Sequence, residues 1–492
     1  MPRSEESIGD FTSKEVDDIV RPARPVPLII AVLLFADIVS SLESTMLVTA
    51  LPRIISVFHT TPADASWLLT AFALVAAASS AVCGRLGDIY GRRNLIIILL
   101  LISAVGSIIS ISTGTLTGAI VGRAIQGVSG GILPLCFGLA RESLPKKQVP
   151  VAIAWIAGAA MLGGASGALI SGVLIDTLGW RSIFITTAAV AVLSAAACPL
   201  LPRSTVLARV ERIDWLGGVL FAPAIALVLF GITKSGTWTW LDGRTIGTIL
   251  AGILLLAIWA WWELRVDSPM INIRLFANRK LALTTIATMA VAFGPLGITG
   301  FLQHIIKQSP TSAPVGLGLS ASVSGALGFA SALLGFLLAP VSGRISARTG
   351  ARRALIIGSV FGVIYAIALA LLHNSVVGVI ISSVFLTIAT SFMLTSTPNL
   401  IVECVPVENT SEATGVNTVA RTAFVGVGTS VATLLLSMSV VPGTQFSTES
   451  AFMQVFAVIG GCCVVALIAA LLIRPAPRTT TDTHPTLEAQ EA

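Results

Sequence analysis

Stretches of about 20 consecutive apolar residues recur along this chain from Pro27 to Leu472. A helix of about 20 residues, rising 1.5 Å per residue, is what it takes to cross a 30 Å hydrocarbon layer. Inside lipid every backbone N–H and C=O must find its partner within the protein, which leaves only helices and closed barrels. Continuous apolar runs of this length belong to helices, because barrel strands alternate polar and apolar residues. Of the 492 residues only 11% are charged, against about 25% in a soluble domain. The chain is therefore expected to be an all-α, multi-pass membrane protein.

Fourteen spans are expected, at about 27–49, 64–83, 94–112, 116–138, 150–174, 182–201, 215–233, 245–263, 281–303, 317–340, 353–372, 376–396, 413–437 and 452–473. An even number puts both termini on one side. If that side is cytoplasmic, 23 of the 30 Lys and Arg lie in the tails and inner loops. Five lie outside (Arg53, Arg181, Lys234, Arg244, Lys307) and two, Arg123 and Arg421, fall inside spans. That bias follows the positive-inside rule, and "TWTW" and "WAWWE" sit where interfacial aromatics belong. The net charge of +6 thus reflects topology and does not call for nucleic acid. Residues 1–26 are polar and mixed in charge, unlike a cleavable signal peptide. Arginine outnumbers lysine 24 to 6, which points to a high-GC bacterium and its cytoplasmic membrane.

The halves repeat. "GRLGDIYGRRNL" at Gly84 follows span two and "GRISARTGARRAL" at Gly343 follows span ten, 259 residues on (84 to 343). Internal repeats flanking a midplane site are a feature of secondary transporters. The expected organisation is a tail (1–26), a six-helix bundle (27–201), a two-span linker region (202–280), a second six-helix bundle (281–473) and a tail (474–492).

At "GRLGDIYGRR" the chain resembles the loop motif of the major facilitator superfamily, through Gly84, Leu86, Asp88, Gly91, Arg92 and Arg93. "IVGRAIQGVSGG" resembles the family's R-x-x-Q-G motif through Arg123, Gln126 and Gly127. "LESTMLVTALP" is similar to the span-one signature of drug:proton antiporters, with Glu43 in the Asp position. Fourteen spans point to that family's multidrug-exporter branch. The resemblance implies a major-facilitator fold of two six-helix bundles plus two central spans. It also implies proton-coupled export of small lipophilic molecules by alternating access, with the proton gradient and no cofactor as energy source, in a functional monomer. In that family's span-five antiporter motif this chain keeps Gly163, Gly167 and Gly172 but has Ala168 in place of the proline. An importer or symporter of the same fold is the alternative, and a non-transporting receptor a more distant one.

The buried charges supply the candidate site. Asp37 and Glu43 both lie in span one, where an unpaired charge costs about 3 kcal/mol. Glu43 and Arg123 fall at matching depth, so a pairing of the two, direct or through water, is expected to offset both costs. Within a transport cycle Glu43 is the expected proton carrier and Asp37 an inner proton step or cation contact. Two deep acids favour a cationic substrate, while Arg123 and Arg421 favour the opposite. The resemblance makes Asp88 and Arg92 a gate, Asp88 accepting hydrogen bonds at a helix N-terminus of the other half. Ala347 stands at the equivalent place in the second copy, so only the first copy can do this. Gln303 and His304 are expected at an outer rim.

Catalysis is not expected. The four histidines are scattered, the six cysteines show no zinc-ligand spacing, and no Gly-Lys pair exists to form a phosphate loop.

Overall fold

The structure is a computed structural model that describes residues 24–208 and 213–474. Most of both expected tails, 1–23 and 475–492, lies outside these residues. The described chain is all-helical, with fourteen helices long and apolar enough to cross a membrane. They are α1 (Val26–Phe58), α2 (Pro62–Tyr90), α3 (Arg92–Ser112), α4 (Leu116–Ser143), α5 (Val149–Leu178), α6 (Arg181–Leu200) and α7 (Trp215–Gly236). There follow α8 (Gly243–Glu263), α9 (Arg279–Gln308), α10 (Ala321–Thr349), α11 (Ala351–Leu372), α12 (Val376–Val402), α13 (Val407–Met438) and α14 (Glu449–Leu472).

Local chemistry starts and stops these helices. Thr115, Ser375 and Thr448 each turn a side-chain oxygen back onto a first-turn N–H, which satisfies a donor that has no partner within the helix. Gly91 ends α2 at φ 101° and Gly350 ends α10 at φ 90°, a backbone region open to glycine and strained for other residues. Several helices outrun the expected spans: α1 continues through Pro52, α2 reaches Tyr90 and α9 reaches Gln308. Hydropathy falls where charges begin, but the helix does not unwind there.

One apolar core forms among α1, α3, α4, α5 and α6, joined by Val402 at the end of α12, and another among α9, α11, α12, α13 and α14. The extra pair is not a spacer between them. Phe221 and Ile225 of α7, Trp259 of α8, and Met270 and Ile271 beyond it share a third cluster with Ala77 and Ala81 of α2 and Val419 of α13. The pair packs along the seam where the two bundles meet.

Among the described residues, every hydrogen bond between the first bundle and the second lies toward the end of the molecule that carries most arginines. Toward the other end, the first turns of α10 are largely exposed. The molecule is sealed at its arginine-rich end.

Candidate functional site

The seal is built around Asp88. The motif that contains it forms no loop, contrary to expectation: Gly84 to Tyr90 are the last turns of α2, Gly91 is the break, and Arg92 and Arg93 open α3. Both oxygens of Asp88 face the first turn of α13. Ser411 N donates to Oδ1 at 3.3 Å and Glu412 N to Oδ2 at 2.9 Å. The positive end of a helix suits a carboxylate, and here the helix belongs to the opposite bundle.

Arg92, fully buried, ties this contact down. Its Nε donates to Asp88 Oδ1 at 2.9 Å and to Ser411 Oγ at 3.1 Å. Its two terminal nitrogens reach Glu142 Oε2 and the Val407 carbonyl, both at 2.7 Å. Every face of the guanidinium that could be left bare has an acceptor, which is what makes burial of the charge tolerable. Arg93 turns away and caps the Leu201 carbonyl at 3.1 Å.

Four residues that sequence patterns did not single out, Arg85, Glu142, Asn272 and Glu412, complete the seal. Glu412 pairs with Arg85 of α2 at 3.0 Å and accepts the Asn272 N–H, from the segment after α8, at 2.6 Å. Glu142 also accepts the N–H groups of Thr205 and Val206, so the segment leaving α6 is strapped beneath the motif. Close approach is permitted by glycine: a Cβ on Gly84 would strike the Ser411 carbonyl, and one on Gly415 would strike that of Ser80. In the second copy, Gly343 instead lets α10 lie against Val151 and Ala154 of α5.

Beyond the seal lies a cavity of about 400 Å³ between the bundles. Asp37, Ser40, Ser41 and Ser44 of α1 line it, with Phe72 of α2 and, from the second bundle, Thr418 and Arg421 of α13. Asp37 and Arg421 thus face one space from opposite bundles, and among the described residues no salt bridge joins them. Asp37 Oδ2 is buried with no hydrogen-bond partner.

Glu43 is elsewhere, enclosed in the first bundle. Its two oxygens accept from Ser103 of α3 and, at 2.6 Å, from Ser129 of α4. The expected direct pairing with Arg123 is not formed. Arg123 donates to the Leu68 carbonyl at 3.1 Å and to Gln126 Oε1 at 3.0 Å. Its guanidinium lies 4.3 Å from the ring centre of Phe72, a cavity-lining residue, so one aromatic ring separates it from the cavity. Gln126 in turn donates to Ser107 at 2.5 Å. Hydroxyls of α3 and α4 thus solvate Glu43, while a backbone carbonyl and an amide oxygen take up Arg123.

The span-five motif lies against α1. A Cβ on Gly163 would meet Ser41 and one on Gly167 would meet Thr45, while Gly172 has no neighbour there and Ala168 is exposed. Gly163 and Gly167 therefore set the approach of α5 to the helix carrying both acids, and Gly172 takes no part. Gln303 is not on a rim: it is inside α9 and donates to Tyr365 of α11 at 3.3 Å.

Comparison with known proteins gives these contacts a context. A sequence profile described as Major Facilitator Superfamily matches residues 33–301 and 275–491. The tetracenomycin C resistance and export protein of Streptomyces glaucescens is 29% identical over 346 residues, 68% of this chain and 61% of that one. A multidrug resistance protein B homolog of Mycobacterium tuberculosis is 29% identical over 314 residues, covering 60% of this chain and 57% of its own length. The matched part thus spans about three fifths of these relatives. The proton:xylose symporter XylE superposes with a TM-score of 0.60 at 15% identity, covering 92% of this chain and 96% of the symporter; at that identity the likeness is one of fold.

Proposed function

Because this chain belongs to the major facilitator superfamily, whose members are transporters and not enzymes, we propose that it is a proton-coupled exporter of small lipophilic molecules. The observation that carries this is the cavity between bundles that holds Asp37 and Arg421, shut at one end by the Asp88–Arg92–Glu412 seal. A site enclosed between two bundles that touch at one end is what alternating access requires. The arginine-rich end is the cytoplasmic one by the positive-inside rule, with both termini on that side of the cytoplasmic membrane, and the sealed form then faces outward.

In this scheme Glu43 holds the coupling proton inside the first bundle. Arg123 responds through Phe72 to what occupies the cavity. Asp37 meets a cationic group of the substrate or a second proton, and Arg421 an anionic one. The chain works as a monomer and draws on the proton gradient without a cofactor.

Growth and flux test this together. Cells expressing the protein should resist some lipophilic drugs or dyes, and vesicles should release protons when such a compound is added. A symporter of the same fold, the mode named for the xylose transporter, would instead sensitise its host. Sensitisation, or protection without any proton movement, would overturn the proposal.

A further inference from the structure

A second polar site lies in the outer part of the second bundle, apart from the Asp37–Arg421 cavity. Lys307, expected in an outer loop, stands in the last turn of α9 with only 6% of its surface exposed. It lines two small cavities, of about 180 Å³ and 130 Å³, which share Lys307 of α9, Ser331 of α10 and Ser383 of α12. Among the described residues its ammonium makes no hydrogen bond or ion pair, and no Asp or Glu lines either cavity. With its stem buried and no acidic partner, the ammonium is left at these cavities, so a counter-charge there has to come from outside the protein.

The remaining lining defines that counter-charge. Gln303 donates its Nε2 to Tyr365, and its Oε1, an acceptor, is buried without a partner beside the same space. Among the described residues the Ser331 hydroxyl makes no hydrogen bond, and Ser324 lines the cavity on the same helix. One cation and two hydroxyls supply donors of the kind a carboxylate accepts. The rest of the 130 Å³ cavity's wall, with Leu327, Leu334, Ile380 and Val384, is largely aliphatic. A bare inorganic ion would leave that wall unused.

We propose that this is a subsite for the carboxylate of an amphiphilic organic anion, with Lys307 as its counter-charge and Ser324 and Ser331 as supporting donors. The transport reading is not needed for it, since binding is read at equilibrium. The probe is 4-phenylbutyrate, with its neutral amide as control, titrated against the thermal unfolding of the purified full chain in detergent. The carboxylate should stabilise the protein saturably, and the amide should bind about tenfold or more weakly, as the loss of a charge-assisted contact requires. Lys307→Gln should weaken the carboxylate by a similar factor and leave the amide unchanged, and Lys307→Arg should retain most of the carboxylate affinity. Lys307→Met serves as a second neutral variant should the glutamine protein prove unstable. Equal carboxylate binding by Lys307→Gln and the parent, or equal binding of acid and amide, would sink the proposal. Inorganic phosphate titrated alone should show no saturable effect; a saturable one lost in Lys307→Gln would make this an inorganic-anion site instead. A protein that fails to transport yet binds the acid through Lys307 separates this inference from the export reading.

Discussion

The carboxylate of Asp88, in α2, caps the first turn of α13 in the opposite bundle, with Glu412 N–H 2.9 Å from its Oδ2. One side chain thereby joins two bundles that a transport cycle must part. Breaking one partner out of a buried, hydrogen-bonded pair typically costs about 3–5 kcal/mol. Asp88→Asn keeps one acceptor oxygen but loses the charge that Arg92 and the helix end both demand. We expect it to insert at normal abundance and to lose export by tenfold or more, as measured by substrate efflux from cells with matched expression. Near-normal efflux would remove Asp88 from the gate.

Gly84 offers a purely steric test of the same seal. A methyl group there strikes the Ser411 carbonyl, and backbone yields far less easily than a side chain. Gly84→Ala should therefore disfavour the sealed form without touching any charge. Spin labels on the arginine-rich ends of the two bundles should report a longer distance in this variant; an unchanged distance distribution would contradict the expectation.

The two acids of α1 should separate in function. Glu43 is enclosed by Ser103 and Ser129, whereas Asp37 borders the cavity. Glutamine at position 43 keeps volume and hydrogen-bonding capacity but cannot titrate. We expect Glu43→Gln in proteoliposomes to abolish substrate-driven proton release, and Asp37→Asn chiefly to weaken substrate binding. The reverse pattern would exchange their roles.

Asn272 ties the segment after α8 to the seal through its backbone N–H, 2.6 Å from Glu412 Oε1, while its side chain caps Arg274 N. Asn272→Pro deletes the N–H as well as the cap, and Asn272→Ala deletes only the cap. A role for the extra spans in closing the seal predicts that the proline variant lengthens the inter-bundle distance and the alanine variant does not. Identical behaviour of the two would confine the segment to packing.

Helix number and the motif residues were legible in the sequence because hydropathy and short motifs are local properties. The apolar run of α3 needs no neighbour to declare itself, and Gly91 announces a break by its own conformational freedom. The partners of those residues were not legible. Glu412 lies 324 residues from Asp88 (88 to 412) and looks like any acid in a helix's first turn. Ser103 and Ser129 look like ordinary membrane serines until packing turns them onto Glu43. The direct form of the expected Glu43–Arg123 pairing is absent for the same reason: matching depth fixes height along the membrane normal, not rotation about each helix. Lys307 reads as a loop residue because its charge ends the apolar window, although the helix runs past it.

Because the polar contacts between bundles cluster at one end, the strength of that cluster has an optimum, not a maximum. Each charge-assisted hydrogen bond there is worth about 1.5–3 kcal/mol, and each 1.4 kcal/mol changes a two-state ratio about tenfold. A cycle that must pass through both forms runs fastest when neither is a thermodynamic sink. Substitutions that tighten the contact of α2 with α13 should slow turnover as surely as those that loosen it, leaving rate to rise and fall along a single axis of seal strength.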